Sequence, residues 1–183
     1  VETMDVQLHI GASELGFELN AQSAGSPASL LDTLRQLPAL TAADSVMRDL
    51  KVVGDQPAYA RMAMAFDLRD INDTLSLAVD VDVSGARLES ELLDLSATEV
   101  GGTLRYRTQT GFESDGLNGV VFGRPIAVKM GPWLANAPDT VLAAEIKGKV
   151  AVTDLLSWRD IPVIIPADGI AAVSVNVNVA NDI

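Results

Sequence analysis

The stretch Leu75–Val83 reads LSLAVDVDV and decides the fold class, because its aliphatic residues alternate with polar or small ones. Successive side chains of a β-strand point to opposite faces of the sheet. This period of two therefore predicts a strand with one aliphatic face and one solvated face.

The same alternation recurs in segment after segment of the chain. Short links between such segments favour antiparallel neighbours. The sequence therefore predicts a mainly β protein, with a meander at about residues 60–130 and a strand–helix–strand unit at about 140–180. Further alternating or aliphatic runs lie at residues 6–10, 62–68, 93–95, 104–106, 120–122, 126–130, 141–152 and 173–179.

One segment, at about residues 26–37, is predicted to be a helix. Ser26 can cap the first turn, Pro27 suits the first helical position, and Pro38 ends the helix. Its leucines fall on one face at helical spacing. A second, shorter helical turn is predicted after Thr153.

Glycines are predicted to mark the turns between the strands, since glycine supplies the positive φ angles that tight connections need. No linker rich in Pro, Gly or Ser divides the chain, which is therefore expected to be one β-rich segment over residues 1–183. The predicted turns are Gly85, Gly101–Gly102, Gly111, Asp115–Gly116, Gly123 and Asp168–Gly169. For Gly101–Gly102 and Gly123, a bulge is the other interpretation.

Composition and charge exclude several classes of partner. Thirteen basic and 25 acidic residues give a net charge of −12, which would repel nucleic acid. No polybasic cluster is present for docking on anionic head groups, so any lipid contact is expected to be apolar. The chain has no cysteine, which excludes disulfides, thiolate metal sites and cysteine nucleophiles.

No arrangement of residues predicts an enzyme. The single histidine, His9, lies in an alternating segment without a nucleophile motif nearby, and is interpreted as a solvated strand residue. The carboxylates of Asp67, Asp70 and Asp73 lack the ligand order and glycine position of a calcium loop. We predict no catalytic site, no metal site and no cofactor.

Three stretches resemble YhdP-type proteins of the AsmA superfamily. The first is GSPASLLDTLRQLPAL (25–40), a leucine-bearing helix that runs into a proline turn. The others are GGTLRYRTQTG (101–111) and FGRPIAVKM (122–130), in which a strand and a glycine turn lead to a strand that ends in a Phe-Gly-x-Pro turn. The resemblance covers about residues 26–180 and concerns architecture, since none of these motifs is catalytic.

The resemblance implies a curved antiparallel sheet shaped like a gutter, whose apolar groove carries phospholipid acyl chains between the inner and outer membranes of a Gram-negative bacterium. It implies a periplasmic segment of a longer, repetitive, inner-membrane-anchored protein, with targeting and anchoring parts outside this sequence. The side chains predicted to line the groove are Met62, Met64, Phe66, Leu68, Leu75, Leu77, Val79, Val81, Val83, Leu93, Leu95, Leu104, Tyr106, Val128 and Met130.

A closed β-sandwich that serves as a structural or protein-interaction module of the cell envelope is the alternative. Its core would use the same alternation, so periodicity does not separate the two. In either case, open sheet edges of the segment could pair with another copy.

Overall fold

The computed structural model describes residues 3–10, 15–35, 49–91, 94–135, 140–158 and 168–180. Most of the described chain is extended, as the alternation predicts. The strands are β1 Thr3–Ile10, β2 Leu15–Gly25, β3 Leu50–Val53, β4 Ala58–Asp67, β5 Ser76–Ser90, β6 Leu95–Arg107, β7 Gly111–Val121, β8 Arg124–Met130, β9 Thr140–Ala151 and β10 Ile170–Ala180.

All ten strands belong to one antiparallel sheet. Nine of them follow the order β1-β2-β4-β5-β6-β7-β8-β9-β10, and β3 pairs with β5 beside β4. Strands β4 to β8 occupy the region of the predicted meander, and each pairs with the next in the chain. The predicted mainly β fold, an antiparallel sheet with short helices, is confirmed.

The closed sandwich of the alternative prediction is not the arrangement of the described strands. A sandwich needs two sheets that pack face to face. Here the described strands form a single sheet whose first and last members, β1 and β10, each pair with one neighbour only.

Helix α1 spans Pro27–Arg35, within the predicted range, and residues 36–37 lie outside the described part. Ser26 caps it: the Ser29 N–H donates to Ser26 Oγ over 3.1 Å, and the Leu30 N–H donates to the Ser26 carbonyl over 3.1 Å. At the other end, Arg35 donates to the Leu50 carbonyl over 2.6 Å. This bond ties α1 to β3.

Two further helices are short. Helix α2, Ile71–Thr74, lies between β4 and β5 and was not predicted. Helix α3, Val152–Trp158, confirms the helical turn predicted after Thr153. A single 3₁₀ turn, Pro132–Leu134, follows β8. Among the described helices, the longest has nine residues, and none is long and apolar enough to cross a membrane.

Two of the predicted turns, at Gly85 and Asp115–Gly116, are wrong, and of the two interpretations of Gly101–Gly102 the bulge is confirmed. Gly85 lies inside β5, the Gly101–Gly102 pair inside β6, and Gly116 inside β7. The pairing register shifts beside each of them, so these glycines belong to bulges within long strands. Bulges bend a strand and increase its local twist, which curves the sheet.

Candidate functional site

The two faces of the sheet differ in chemistry. On β5, Leu77, Val79 and Val81 are buried, while the intervening Asp80 and Asp82 lie on the opposite side. We call the side of Val79 the apolar face and the side of Asp80 the polar face. Cross-strand partners extend the apolar face to the neighbouring strands, because paired residues share a face: its members include Phe17 and Leu19, Met62, Met64 and Phe66, Leu104 and Tyr106, Phe112, Val128 and Met130, Ile146, and Val173, Val175 and Val177.

The centre of the apolar face is closed. Leu77 and Val79 are each 3% exposed and Val81 is 6% exposed. They form one cluster with Ala58 of β4 and Leu30 of α1. In this structure the three predicted groove residues therefore belong to the protein's own core.

Helix α1 covers part of the apolar face. Leu30 joins the cluster on β4 and β5, whereas the adjacent Leu31 packs against Phe112 of β7. Leu142 of β9 packs against the same phenylalanine. The two successive helix residues therefore link the β4–β5 cluster with the cluster at Phe112.

Tyr106 joins the two clusters. It packs against the β4–β5 cluster and also against Phe112, with the ring centroids 5.1 Å apart in an edge-to-face arrangement. Burial raises the pKa of the Tyr106 phenol above its ordinary value. This phenol is therefore a natural reporter of how dry the middle of the apolar face is.

A Tyr59→Phe variant leaves Tyr106 as the only tyrosine of the chain. In this folded variant, we expect the pKa of the Tyr106 phenol to lie above the ordinary tyrosine value of about 10. A raised folded-state pKa contributes stability below the unfolded-state pKa, and this contribution is lost as the pH rises through the folded value. Spectrophotometric titration at alkaline pH measures it, with the urea-unfolded protein as the reference. Identical titration curves for the folded and unfolded protein would contradict the burial of this phenol.

Beyond the closed centre, the apolar face is partly open to solvent. Met62, Met64 and Phe66 of β4 are half-buried, and Phe66 stacks on Phe17 with ring centroids 4.9 Å apart. The side chains that follow β4 are more open: Leu68 is 40% exposed. The accessible part of the face therefore begins along β4 and reaches the turn after it.

The strands β8 to β10 carry a second accessible part. Val128 pairs with Ile146, which pairs with Val175, so the three side chains form a row across the apolar face. Val128 and Ile146 are half-buried, and Val175 is 44% exposed. Exposure thus increases towards the outer strand.

The predicted lining residues fall into four groups. Leu77, Val79 and Val81 are buried and Leu68 is exposed, while Leu93 lies outside the described residues. The remaining predicted residues are half-buried: Met62, Met64, Phe66, Leu75, Val83, Leu95, Leu104, Tyr106, Val128 and Met130.

Sequence reasoning missed four side chains of this region. Leu30 and Leu31 were recognised as a helix face but not as residues that pack on the sheet. Phe112 lies directly opposite Tyr106, two residues beyond the turn at residues 108–110, so a hairpin centred on that turn would have predicted the pair. Leu142 was recognised as a strand residue only.

Charges on the polar face pair with one another. Arg107 Nη2 lies 2.7 Å from Asp80 Oδ1, and the Thr103 hydroxyl donates to Asp82 Oδ1 over 2.5 Å. Among the described residues, no group of three or more His, Asp or Glu side chains is placed to hold a metal ion. His9 lies in β1 opposite Gly16. This face is a solvated surface with charge pairs across strands.

The two tryptophans have different environments. Trp158 of α3 donates its indole N–H to the Asp94 carbonyl over 3.1 Å, and its ring lies 6.3 Å from that of Phe122. It fastens α3 to the β5–β6 and β7–β8 turns. Trp133, in the 3₁₀ turn after β8, is 57% exposed.

No protein-family model, curated protein sequence or solved structure matches this chain. The arrangement of its own residues is therefore the basis for assigning a function.

Proposed function

We propose that this chain is a non-enzymatic lipid-binding segment whose apolar face holds phospholipid acyl chains. The observation that carries the proposal is an antiparallel sheet with one aliphatic face. Among the described residues, helix α1 covers part of this face, and no second sheet packs on it. Ordinary β-sandwiches bury such a face against a partner sheet. The parts of this face that α1 leaves uncovered are suited to a hydrocarbon guest.

The acyl chain would bind by area. Each methylene that leaves water contributes about 0.8 kcal/mol, so ten buried methylenes would contribute about 8 kcal/mol before the cost of association. The flexible side chains of Met62 and Met64 would adapt to acyl chains of different shape. No hydrogen bond on this face is needed for that interaction.

The part of the face that we propose for the acyl chain consists of Met62, Met64 and Phe66 of β4 and of Leu68 in the turn after β4. The row Val128, Ile146 and Val175 is a second part of it. The buried Leu77, Val79 and Val81 lie beside this surface on the same face and would not contact lipid while α1 covers them.

In its biological setting, we propose a periplasmic segment of an inner-membrane-anchored, bridge-like protein that moves phospholipid between the inner and outer membranes. This part of the proposal comes from the resemblance to YhdP-type proteins of the AsmA superfamily. Both membranes would be contacted through parts of the full-length protein outside this chain.

A charge on the accessible apolar face is expected to weaken lipid binding. A phospholipid with a photoactivatable group in one acyl chain should crosslink to the wild-type protein, and Leu68→Glu should reduce this yield at least about tenfold, since a carboxylate beside hydrocarbon must be desolvated. Met62→Glu should have the same effect. Crosslinking is quantified by mass spectrometry of the intact protein.

Ala63→Glu is the matched control, because Ala63 is exposed and lies between Met62 and Met64 on the polar face. It should crosslink like the wild type. Circular dichroism of each variant verifies the fold. Leu68→Glu is expected to disturb the fold least, because Leu68 is already 40% exposed. Equal yields from Leu68→Glu and Ala63→Glu, or no crosslinking of the wild type, would refute the proposed site.

A further inference from the structure

Strand β10 is the last strand of the described sheet, and its outer edge in this 183-residue chain has little of the usual protection against pairing. Among the described residues, β10 pairs only with β9. Its eleven residues, IAAVSVNVNVA, include no charged residue and no proline. Edge strands of soluble proteins are normally blunted by charges, prolines or bulges, and the one register shift of β10 lies at its end, between Val179 and Ala180. A long uncharged edge of this kind is a template for another strand.

The backbone groups that β10 leaves open can be identified from its register. The Val152 N–H donates to the Gly169 carbonyl over 3.1 Å, and the ladder continues through the pair Ile170 and Ala151. In an antiparallel ladder, hydrogen-bonded and non-hydrogen-bonded pairs alternate. The odd-numbered residues of β10 therefore bond to β9, and the even-numbered ones direct their N–H and C=O groups away from it.

The register on the other side of β9 agrees with this assignment. The Gly131 N–H donates to the Ala143 carbonyl over 3.1 Å, so the odd-numbered residues of β9 bond towards β8. Its even-numbered residues are then left to bond with the odd-numbered residues of β10. The open edge thus offers the backbone groups of Ala172, Ser174, Asn176 and Asn178.

The sequence of this edge is nearly the same in both directions. Residues 173–179 read VSVNVNV, with Asn176 at the centre. If a second copy of the strand is added antiparallel with Asn176 opposite itself, Val175 faces Val177 and Ser174 faces Asn178. All valines then share one face and all amides the other. The hydrogen-bonded pairs are the even-numbered ones, whose groups are open.

We infer that β10 is a self-association edge, at which a second copy of this chain adds antiparallel about a two-fold axis at Asn176. Such an interface is isologous, because Ser174 of each copy faces Asn178 of the other copy. A two-fold axis perpendicular to the sheet keeps the two apolar faces on the same side. The pairing would cover Val175, which is 44% exposed, and would join two apolar faces into one of twice the width.

This inference does not depend on lipid binding, because it concerns the edge and not the face of the sheet. It is tested on the lipid-free 183-residue chain by sedimentation at increasing protein concentration. We expect a monomer–dimer equilibrium. Asn176→Lys, which places like charges opposite each other, should weaken the dimer at least about tenfold. Ala63→Lys, on an exposed site of the inner strand β4, should leave it unchanged.

The register is tested by disulfide formation, since the chain has no cysteine of its own. Hydrogen-bonded partners lie about 5.5 Å apart at Cα, a distance that a disulfide can span. Asn176→Cys should therefore form a crosslinked dimer on oxidation. Ser174→Cys alone should not, but a mixture of Ser174→Cys with Asn178→Cys should.

Two results would overturn the inference. One is a wild-type protein that stays monomeric at every concentration. The other is a dimer that survives Asn176→Lys and gives no crosslink through Asn176→Cys, which would place the interface elsewhere, for example at the β1 edge. Neither result would change the reduction in lipid crosslinking that we expect for Leu68→Glu and Met62→Glu.

Discussion

Val79→Asp is expected to lower the free energy of unfolding by about 4 kcal/mol, because it places a carboxylate in an apolar cluster without a partner. Val79 is 3% exposed and pairs with Met62 on one side and Tyr106 on the other. The residues that form its cluster are all apolar. The new side chain would either unfold the sheet locally or remain protonated. Urea denaturation followed by circular dichroism measures the loss.

Ala78→Asp is the control for this prediction. Ala78 is the preceding residue on β5, and it lies on the polar face between Ala63 and Arg107. A carboxylate there faces solvent and a guanidinium, so the free energy of unfolding should change by no more than about 1 kcal/mol. If the two variants lose equal stability, the assignment of the two faces is wrong.

The faces of the strands could be predicted from the sequence because a period of two is a local property. In β5, the alternation alone placed Val79 and Asp80 on opposite faces, and the structure confirms this placement. The depth of burial could not be predicted in this way. Val79 is buried in a cluster that includes Leu30, nearly fifty residues earlier in the chain. Such a contact leaves no periodic signal.

The lengths of the strands were underestimated for a different reason. Glycine pairs such as Gly101–Gly102 indicate either a turn or a bulge. Both structures favour glycine, so the local composition does not distinguish them. Here the chain continues as β6 through the glycines, with a shift of register towards β7. Strand β3, with the sequence LKVV, is too short to show alternation and was missed.

The candidate site was predictable in composition but not in accessibility. Most of the predicted lining residues do lie on the apolar face, yet Leu77 and Val81 proved to be core residues. A glutamate at either position would probe folding and not lipid contact. Leu68 is exposed because β4 ends at Asp67 and the chain turns there towards α2. The sequence alone did not predict α2. The best probes of lipid binding therefore follow from the structure.

Gly102→Ala is expected to lower the free energy of unfolding by about 3 kcal/mol, through backbone strain and a steric clash together. Gly102 has a φ of 126°, which residues with a Cβ rarely adopt. A Cβ there would lie 2.4 Å from the carbonyl oxygen of Gly116 on β7. Because that atom belongs to the backbone of a paired strand, it cannot move without shifting β7. Urea denaturation again provides the measurement.

The clash would act on a part of the sheet where β6 and β7 are closely joined. The hydroxyl of Ser114, which is fully buried, donates to the Thr103 carbonyl over 2.7 Å beside the bulge. Separation of the two strands would leave that hydroxyl without its acceptor. Gly123→Ala is the control, since Gly123 has a φ of 69° with no atom within 4 Å of the added Cβ, so only about 1 kcal/mol of strain is expected. Equal losses of unfolding free energy in the two variants would mean that backbone strain at positive φ accounts for both. The steric clash at Gly102, with 2.4 Å between the added Cβ and the Gly116 carbonyl oxygen, would then be refuted.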